Sequence, residues 1–540
     1  FDVVGKDQQK KKISVAEYFK TNVGIALKFA RLPLIIERCE SGENYYPMEL
    51  LVVCENQRVK QTQQSSEQIQ AMISVRLQAC AALPSDRKRQ TSIMTQALKL
   101  DGATKNRWFD EYNVKITKNL AVLRLNMDFR AYVNAFIQQC RQHGMQIGKP
   151  IAQLYVRGAT ENQVDVHMNK AKQMGAKLVH FITSDKLLFH GRMKLLEASE
   201  QIVTLDLKTS TAVKAPQRWQ TLDNIINKVN LKLGGINFGL RLETEGSVNN
   251  LSAQKSIMNP NRIIVGMDVA HPPAINRRRD EENLVPSIVG YSSNCKKHPL
   301  DFIGGYRYAR ANQEEIADST ITDLMVESMK KFKENRNILP NHIILLRDGI
   351  SEGQYTYVIQ NEVEQVKSAC GQIGGNAYRP HITFVVATKM HNLRLFKKDI
   401  PRTNKASEQN IKPGTVVDKH IVSPVLNEFY LNSHSAFQGT AKTPRYTKLF
   451  DTSKMSNDEI QAIVFALAFN HQIVNSAVSL PAPIFIADRM ATRGQNNFVA
   501  QFGDISEGSE GAAKAPMDLK ELNAQLGYAD KPLSNCRFNA

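Results

Sequence analysis

The sequence is poor in the cysteine patterns that mark disulfide frameworks and zinc sites. Its 540 residues contain seven cysteines, which is an odd number, and none of them forms a Cys-x-x-Cys pair. No spacing of cysteine and histidine suits a structural zinc ion. These absences favour a reducing compartment, the cytosol or the nucleus, over a secreted disulfide scaffold.

Long apolar runs are also missing. The hydrophobic stretches are much shorter than the roughly 20 residues that cross a bilayer, so we expect no membrane-spanning segment. The hydrophobic fraction of 42% is nevertheless ordinary for globular proteins and sufficient for large cores. A chain of this length predicts about two to four domains.

Acidic residues are outnumbered by basic ones. The 70 lysines and arginines exceed the 52 aspartates and glutamates, which gives a formal net charge of +18. Such a surplus favours a polyanionic partner. Because no basic amphipathic anchor stands out, we expect nucleic acid rather than an acidic membrane.

Alternating apolar patterns predict an α/β protein of several domains. Between residues 121 and 235, the pattern predicts strands at 121–125, 151–156, 177–183 and 202–207, and helices at 130–144, 161–174, 187–199 and 222–233. This alternation predicts a small, doubly wound, Rossmann-like sheet.

A larger α/β unit is predicted for residues 260–540. Its strands are expected at 263–268, 287–293, 301–308, 342–347 and 382–388, and its helices at 314–333, 352–370 and 458–472. Earlier in the chain, residues 13–53 are expected to form short strands with a turn at 41–44. Residues 62–100 are expected to be helical, and 101–120 to form a linker.

Four carboxylates are the most informative feature. Asp268 and Asp348 end apolar strand patterns, Glu314 lies between them, and Asp488 follows later. An acid in a buried strand costs free energy unless something pairs it, and a divalent metal ion is one such partner. Two ions held by clustered acids can clamp the attacking and leaving oxygens of a phosphodiester. If the four acids converge, the chain is a Mg²⁺-dependent nuclease.

An ordinary structural interpretation stays open at this point. Acids at strand ends are commonly solvated or cap the next helix, and Asp348-Gly349 could form a simple turn. The order of the acids is that of an RNase H-like core, but spacing alone is a weak signal.

Two pairs of basic residues suggest a phosphate pocket. His190 and Lys194 are four residues apart on one predicted helix, as are Lys228 and Lys232 on another, so each pair shares a helix face. Two helices that present cations at one end of an open α/β sheet can hold a phosphate. The alternative is a solvated helix face, which suits Lys228 and Lys232 less because their helix is otherwise apolar.

Several segments resemble the PIWI-domain signatures of eukaryotic Argonaute proteins. They are residues 267–273, 347–355, 430–440 and 479–483. Residues 228–235 resemble the end of an Argonaute MID domain, and residues 15–19 resemble the tail of a PAZ domain. The resemblance implies part of a β-rich PAZ domain at 1–60, a partly helical linker at 61–120, a Rossmann-like MID domain at 121–258 and an RNase H-like PIWI domain at 259–540.

The resemblance implies an RNA silencing protein loaded with a small guide RNA. The PAZ segment would hold the guide 3′ end, for which Phe29 and Tyr45 are candidates, and the PIWI domain would cut a complementary target RNA. We expect a monomer bound to RNA, assisted by silencing partner proteins. The cytoplasm, RNA granules and the nucleus are the expected locations.

The resemblance also assigns the four acids. Asp268, Glu314 and Asp348 match the catalytic acids of the family, and Asp488 stands where animal members often have histidine. Asp268, Asp348 and Asp488 would be ligands for Mg²⁺, or for Mn²⁺ in its place. Glu315 is the alternative to Glu314 if the helix is shifted by one residue.

The guide 5′ pocket carries over with changes. Lys194, Lys228, Lys232 and Arg493 match phosphate-binding residues of the family. His190 replaces a tyrosine that stacks on the first base, and Leu205 replaces a glutamine.

A histidine at position 190 resembles the nematode-specific Argonautes, whose guides carry a 5′ triphosphate. Most of that branch has lost the catalytic acids, so this chain would be similar to its slicing-competent members. A guide-binding scaffold without cleavage is the alternative function.

Overall fold

The fold is taken from a computed structural model. It describes residues 2–4, 10–31, 33–39, 42–51, 93, 129–154, 161–184, 189–241, 255–271, 285–310, 319–401, 405–503 and 518–540. The chain divides into two units, Phe1–Leu125 and Asn126–Ala540. In the described residues, no helix has the length and apolar character needed to cross a membrane.

The first unit contains two antiparallel hairpins and short helices. The strands are β1 (Asp2–Val4), β2 (Lys10–Lys12), β3 (Leu34–Cys39) and β4 (Gly42–Pro47), paired β1 with β2 and β3 with β4. Helix α1 (Val15–Tyr18) continues into a π-helix at Phe19–Val23, and a 3-10 helix covers Met48–Leu50.

Two local predictions for this unit are wrong. The segment at 15–19 is helical because the Ser14 hydroxyl caps it, accepting a hydrogen bond from the Glu17 amide at 3.2 Å. The predicted turn at 41–44 is too late, since β4 already begins at Gly42, which pairs with Cys39. The predicted helical segment at 62–100 and the linker at 101–120 lie outside the described residues, apart from residue 93.

The second unit begins with a smaller α/β region. Its elements are α2 (Arg130–Gln142), α3 (Glu161–Gln173), β5 (Leu178–Thr183), α4 (His190–Glu200), β6 (Val203–Lys208), α5 (Thr209–Lys214), a 3-10 helix (Ala215–Gln217) and α6 (Trp219–Lys232). Strands β5 and β6 are parallel, as the predicted alternation requires.

One predicted strand of this region is not found. Residues 151–154 form no strand, and Ile151 and Leu154 are both exposed, so no burial stabilises an extended segment there. Residues 155–156 and the predicted strand at 121–125 lie outside the described residues. A core does form around α6, whose Ile226 and Val229 pack with Tyr132 of α2.

An eight-stranded mixed sheet dominates the rest of the unit. Its strands are β7 (Arg262–Ala270), β8 (Ser287–Ser293), β9 (Ile303–Ala309), β10 (His342–Asp348), β11 (His381–Thr388), β12 (Thr415–Val417), β13 (Asn427–Asn432) and β14 (Arg445–Asp451). Their order is β12-β13-β14-β11-β10-β7-β8-β9. Strand β10 pairs in parallel with its neighbours β7 and β11, and the other neighbouring strands of this sheet pair antiparallel.

Helices cover both faces of this sheet. They are α7 (Thr320–Arg336), α8 (Tyr355–Tyr357), α9 (Val363–Gly374), α10 (Ala406–Gln409), α11 (Asn457–Phe469), α12 (Ala482–Phe502) and α13 (Leu519–Leu526), with 3-10 helices at Glu352–Gln354 and Pro532–Asn535 and a π-helix at Val358–Glu362. Helices α7 and α9 share one hydrophobic core with the sheet, and α11 and α12 share the other.

Strand β7 shows why the sheet is buried on both sides. Its Ile264 points into the core beneath α11 and α12, whereas Ile263 and Val265 point into the core beneath α7 and α9. Leu195 of α4 and Val203 of β6 join the α11 and α12 core. The smaller α/β region is therefore packed against helix α12, which in turn covers the large sheet.

Three glycines allow helix α12 to lie unusually close to the sheet. A Cβ atom at Gly266 would be 2.3 Å from the Pro483 carbonyl carbon, and one at Gly290 would be 2.1 Å from the Ala487 oxygen. From the helix side, a Cβ at Gly494 would be 2.7 Å from Ile288. This close approach fixes the depth and rotation of α12 above β7 and β8.

Candidate active site and anion pocket

Asp268 and Asp348 lie side by side at the carboxyl edge of the sheet. Strands β7 and β10 are parallel with Arg347 opposite Met267, so the next position in register places Asp348 beside Asp268. The Gly349 amide donates to Asp348 Oδ1 at 2.8 Å. A Cβ at Gly349 would lie 3.6 Å from Asp268 Oδ1, which shows how near the two acids are.

Asp488 joins these two acids from helix α12. Its side chain is 52% exposed. Burial, together with the negative charges of Asp268 and Asp488, raises the pKa of Asp348 to about 6. Burial also raises the pKa of Asp268, where Arg347 opposes the shift and Asp488 adds to it. Three of the four predicted acids therefore occupy one region.

A buried arginine, Arg347, lies beside the acids and acts on them through its charge. Arg347 Nη1 donates to the Asp348 backbone oxygen at 2.7 Å, and Arg347 Nε lies 3.6 Å from Glu362 Oε2. Its positive charge lowers the pKa of both Asp268 and Asp348, partly offsetting burial. Glu362 keeps this arginine from being an unpaired buried charge.

Lys389 adds a second cation that the sequence did not reveal. It follows the last residue of β11, the strand next to β10, and its Nζ donates to Ser479 Oγ at 2.6 Å. Burial lowers the pKa of Lys389, whereas the charges of Asp348 and Asp488 raise it. The sequence signal that could have identified Lys389 is its position directly after β11, the strand beside the one that ends in Asp348.

The acids have the chemistry that magnesium requires. Carboxylate oxygens are the ligands that Mg²⁺ takes most readily in proteins. Within the described residues, however, no group of three or more His, Cys, Asp or Glu side chains is arranged to hold an ion. Glu314 and its alternative Glu315 lie outside the described residues. Asp268, Asp348 and Asp488 thus fit a metal by chemistry without forming a closed set of ligands.

A buried carboxylate lies at the centre of the predicted phosphate pocket. Glu197 of α4 accepts from the Thr204 amide and hydroxyl at 2.7 and 2.6 Å. Lys194 Nζ lies 3.5 Å from this same oxygen, and the other Glu197 oxygen is 2.5 Å from Arg493 Nη1. Lys194 also donates to the Thr204 oxygens, and Lys232 donates to the Phe538 backbone oxygen.

Charge pairing explains how these groups can be buried together. Burial by itself would raise the pKa of Glu197, but Lys232, Lys194 and Arg493 hold it well below its ordinary value. Burial lowers the pKa of Lys194 to about 8, and Glu197 opposes that shift. Three of the predicted phosphate ligands therefore already share an anion within the protein. Sequence reasoning missed Glu197, although its i, i+3 spacing from Lys194 was visible.

The remaining pocket residues are more open. His190 Nδ1 lies 2.9 Å from Asp206 Oδ2, and half of the His190 side chain is exposed. Lys228 makes no hydrogen bond or ion pair with any residue that the structure describes. Leu205 is buried in the core around α6. The binding role predicted for these positions stays a prediction.

The two aromatic candidates of the first unit lie at its surface. Phe29 is 63% exposed and Tyr45 is 38% exposed. Glu49 Oε2 accepts from the backbone amides of Lys28 and Phe29 at 3.1 and 3.0 Å, which fixes the turn that presents Phe29. Their role at a guide 3′ end stays a prediction.

Solved structures with the same fold are Argonaute proteins. Kluyveromyces polysporus Argonaute with a guide RNA aligns at a TM-score of 0.60 and 22% identity, over 76% of this chain and 48% of that one. The C-terminal lobe of a budding yeast Argonaute aligns at 0.61 and 22% identity, over 76% and 80%. The MID-PIWI domains of N. crassa QDE-2 align at 0.53 and 18% identity, over 79% and 95%. The α/β fold with MID and PIWI domains is thereby confirmed.

Sequence comparison gives the family itself. Residues 178–499 match the Piwi domain and residues 3–73 match the PAZ domain. The chain therefore belongs to the Argonaute family.

The curated relatives place the chain near nematode members of that family. It is 30% identical to Argonaute protein wago-1 and 27% identical to wago-4 of Caenorhabditis elegans, in each case over 98% of this chain. It is also 34% identical to Protein argonaute-2 of Drosophila melanogaster, over 51% of this chain and 21% of that protein. The chain spans only 59% and 60% of the two nematode relatives. These matches support the predicted nematode branch.

Proposed function

We propose that this chain binds a small guide RNA and cleaves complementary target RNA in gene silencing. The observation that carries the proposal is the convergence of Asp268, Asp348 and Asp488 at one edge of the sheet. Family membership and the solved yeast Argonaute with a guide RNA support the choice of ligand. The excess of 18 positive charges suits a partner whose backbone is a polyanion.

The guide would be held by both regions of the second unit. His190 would stack on the first base, and Lys194, Lys228, Lys232 and Arg493 would surround the 5′ phosphate. Base pairing with the guide would supply the sequence specificity, while the protein recognises the backbone and the shape of the duplex. Phe29 and Tyr45 would contact the guide 3′ end.

Cleavage would depend on acids at the carboxyl edge of the sheet. Asp268, Asp348 and Asp488 would hold Mg²⁺ or Mn²⁺, with Glu314 as the fourth acid. When bound, the ions activate water and stabilise the leaving oxygen of the phosphodiester. The Gly349 amide orients the Asp348 carboxylate, and Arg347 offsets the repulsion between neighbouring acids.

The decisive experiment is cleavage of a labelled RNA complementary to a loaded guide, with Mg²⁺ and with EDTA. Wild type should give one cut at a fixed distance from the guide 5′ end, and EDTA should abolish it. Asp268→Ala should abolish the cut and leave guide binding nearly unchanged, because Asp268 lies apart from the basic pocket. A cut that persists in Asp268→Ala would contradict the assignment of the acids.

A guide-binding scaffold is the second candidate function. It is supported by the likeness to the nematode proteins wago-1 and wago-4, because most members of that branch lack the catalytic acids. Under this alternative, target RNA binds tightly without being cut, and recruited partner proteins bring about silencing. Silencing in cells that survives Asp268→Ala would select this alternative. We place either activity in the cytoplasm, RNA granules or the nucleus.

The state of the guide 5′ end can be examined separately. His190 in place of tyrosine favours guides with a 5′ triphosphate over guides with a monophosphate. Digestion of co-purified RNA with an exonuclease that requires a 5′ monophosphate checks this. Resistance supports the triphosphate, whereas ready degradation excludes it.

A further inference from the structure

A tyrosine hydroxyl without a hydrogen-bond partner lies near the candidate active site. Tyr446 of β14 is fully buried, and its hydroxyl has no partner in the part of the chain that the structure describes. By contrast, the buried hydroxyls of Tyr306 and Tyr308 donate to backbone oxygens at 2.6 and 2.8 Å. A buried hydroxyl that makes no hydrogen bond costs free energy, so its presence in the fold calls for an explanation.

The strand register places Tyr446 in one row with two of the acids. Asp348 of β10 lies opposite Ala387 of β11, and Ala387 lies opposite Tyr446 of β14. On the other side of β10, the next position of the register continues the row to Asp268 of β7. Residues that lie opposite one another in neighbouring strands point to the same face of a sheet. The tyrosine and the acids therefore share one face.

That face is the one covered by helix α12. Ala387 and Tyr446 belong to the core beneath α11 and α12, and so does Leu346. Because side chains two residues apart in a strand point the same way, Asp348 is on this side as well. Helix α12 also carries Asp488. The tyrosine and all three acids therefore belong to one side of the sheet.

The neighbours of Tyr446 in this row leave its hydroxyl a path towards Asp348. Phe429 of β13 stacks on the tyrosine ring, with ring centroids 5.2 Å apart and an interplanar angle of 21°, and so fills the side away from the acids. On the other side, Ala387 carries only a methyl group, and the two strand spacings from β14 to β10 amount to about 10 Å. Burial, and then the negative charge of Asp348, raise the pKa of Tyr446, which shows that the two groups interact.

The Asp348 carboxylate can accept a further hydrogen bond. The Gly349 amide donates to Oδ1 at 2.8 Å, and no other group in the described residues donates to this carboxylate. The Tyr446 hydroxyl can donate, and the two groups share one face without touching. Two polar groups in this relation are commonly joined by a bridging water molecule, and a hydrogen bond to a carboxylate is stronger than one between neutral groups.

We propose that Tyr446 is a positioning residue of the active site, whose hydroxyl donates through a bridging water molecule to the Asp348 carboxylate and holds it in the orientation that binds a divalent ion. The inference rests on the proposed cleavage of target RNA and adds a residue to that site. Tyr446 touches neither the RNA nor the ion and acts through Asp348 alone. A hydroxyl without a protein acceptor in the core thereby has a function.

The test compares Tyr446→Phe with Tyr291→Phe. Phenylalanine keeps the ring that packs on Phe429 and removes only the hydroxyl. Tyr291 of β8 is the matched control, because it is also buried but lies on the opposite face of the sheet, where its hydroxyl donates to Glu327 Oε2 at 2.6 Å. Chemical denaturation measures stability, and electron paramagnetic resonance measures Mn²⁺ binding to the purified protein, with Asp268→Ala as the background. Single-turnover assays with a loaded guide measure target affinity and cleavage at limiting Mg²⁺.

Tyr446→Phe should weaken Mn²⁺ binding and slow cleavage, each by about tenfold, as expected for the loss of one hydrogen bond to a charged group. Its target affinity and its stability should not fall, because no hydrogen bond within the protein is lost. Tyr291→Phe should give the reverse pattern, with lower stability and with unchanged Mn²⁺ binding and cleavage.

Two results with an active wild type would overturn the positioning role. One is unchanged Mn²⁺ binding or cleavage in Tyr446→Phe, and the other is a loss of both that only accompanies a loss of stability. A wild type that binds Mn²⁺ without cleaving would instead reject the proposed cleavage, and the Mn²⁺ comparison would still decide the role of Tyr446. A wild type that binds no more Mn²⁺ than Asp268→Ala would reject both.

Discussion

At the scale of single residues, Glu197 shapes the chemistry of the basic pocket more than any lysine does. It is fully buried and is the common partner of Lys194, Lys232 and Arg493. A phosphate that approaches these cations meets side chains that are already partly neutralised. Lys228 lies beside these paired cations and has no hydrogen-bond or ion-pair partner among the described residues.

Replacing Glu197 by glutamine should make the pocket dependent on an external anion. The variant keeps the shape of the side chain but leaves buried cations uncompensated, so we expect a loss of roughly 2–4 kcal/mol in the free energy of unfolding. Inorganic phosphate should restore part of this loss. Chemical denaturation with and without phosphate measures both effects.

Glu200→Gln on the same helix is the control for that variant. Glu200 pairs with the mostly exposed Lys172 at 2.7 Å, and a pair of this kind contributes at most about 1 kcal/mol. Equal stability of Glu197→Gln and Glu200→Gln would show that Glu197 does not hold the cations together.

Asp451 should make stability depend on pH in the acid range. Burial alone would raise its pKa, but hydrogen bonds from Ser453, Lys448 and Thr383 hold it at about 2, below the ordinary value of 3.8. Because the folded pKa is depressed, the stabilisation is complete above about pH 4 and is lost as the pH falls towards 2. We expect roughly 1 kcal/mol after allowance for solvent screening.

Unfolding of Asp451→Asn and wild type across this pH range checks the sign. The difference in stability should be present at neutral pH and should vanish at the acid end. Asp399→Asn, which changes an exposed acid, should not alter the pH profile. A difference that grows on acidification would contradict the assignment.

At the scale of elements, the position of α12 determines the active site. Gly266 and Gly290 remove the side chains that would hold this helix away from β7 and β8. Asp488 is thereby placed above the edge that carries Asp268 and Asp348. The helix also carries Arg489 and Arg493, so Asp488 and these two basic side chains are positioned by one helix.

Gly290→Ala should separate cleavage from guide binding. The added Cβ would lie 2.1 Å from the Ala487 oxygen and 2.6 Å from the Ala491 nitrogen, so α12 must shift. We expect a loss of about 1–3 kcal/mol in stability and a larger loss of cleavage than of guide binding. Cleavage rates and guide affinities are the two measurements.

Gly371→Ala is the matched control for this change. Gly371 lies in helix α9, and a Cβ there would have no heavy atom within 4 Å. Alanine should therefore stabilise the helix by up to about 1 kcal/mol and leave cleavage unchanged. Equal cleavage by Gly290→Ala and wild type would argue against a positioning role for the close contact.

Local sequence patterns predicted some elements well and others poorly. Strand β8 was predicted with its observed bounds because it contains Ile288, Val289 and Tyr291, which are β-branched or aromatic residues that favour strands. Strand β14 was missed because it includes Arg445, Lys448 and Asp451, whose polar side chains form ion pairs and hydrogen bonds within the fold. A polar strand at this position is stabilised by its neighbours rather than by its own pattern.

The acids could be predicted from the sequence more easily than the grouping of the basic residues. Asp268 and Asp348 come directly after apolar runs in two strands, so sequence alone could suggest that they lie together. The cluster of Lys228, His471, Arg489 and Arg537 could not be predicted in this way, because its formation depends on how α6, α12 and the last residues pack. No spacing rule connects such positions.

At the scale of the whole molecule, the charge surplus should dominate the affinity for RNA. A protein that neutralises several phosphates releases counterions, and its affinity falls steeply with salt. With 18 excess positive charges, we expect guide affinity to drop about a hundredfold or more between about 50 and 200 mM salt. A nearly flat salt dependence would contradict binding through phosphates.

The dispersed active site has a consequence for synthesis of the protein. Asp488 follows Asp348 by more than a hundred residues, and the glycine contacts that seat α12 join β7 and β8 to a helix made much later. A growing chain can form the parallel strands while α12 is still inside the ribosome. Catalytic acids and guide pocket would then be completed together in one late event, so an unfinished chain would not act on cellular RNA.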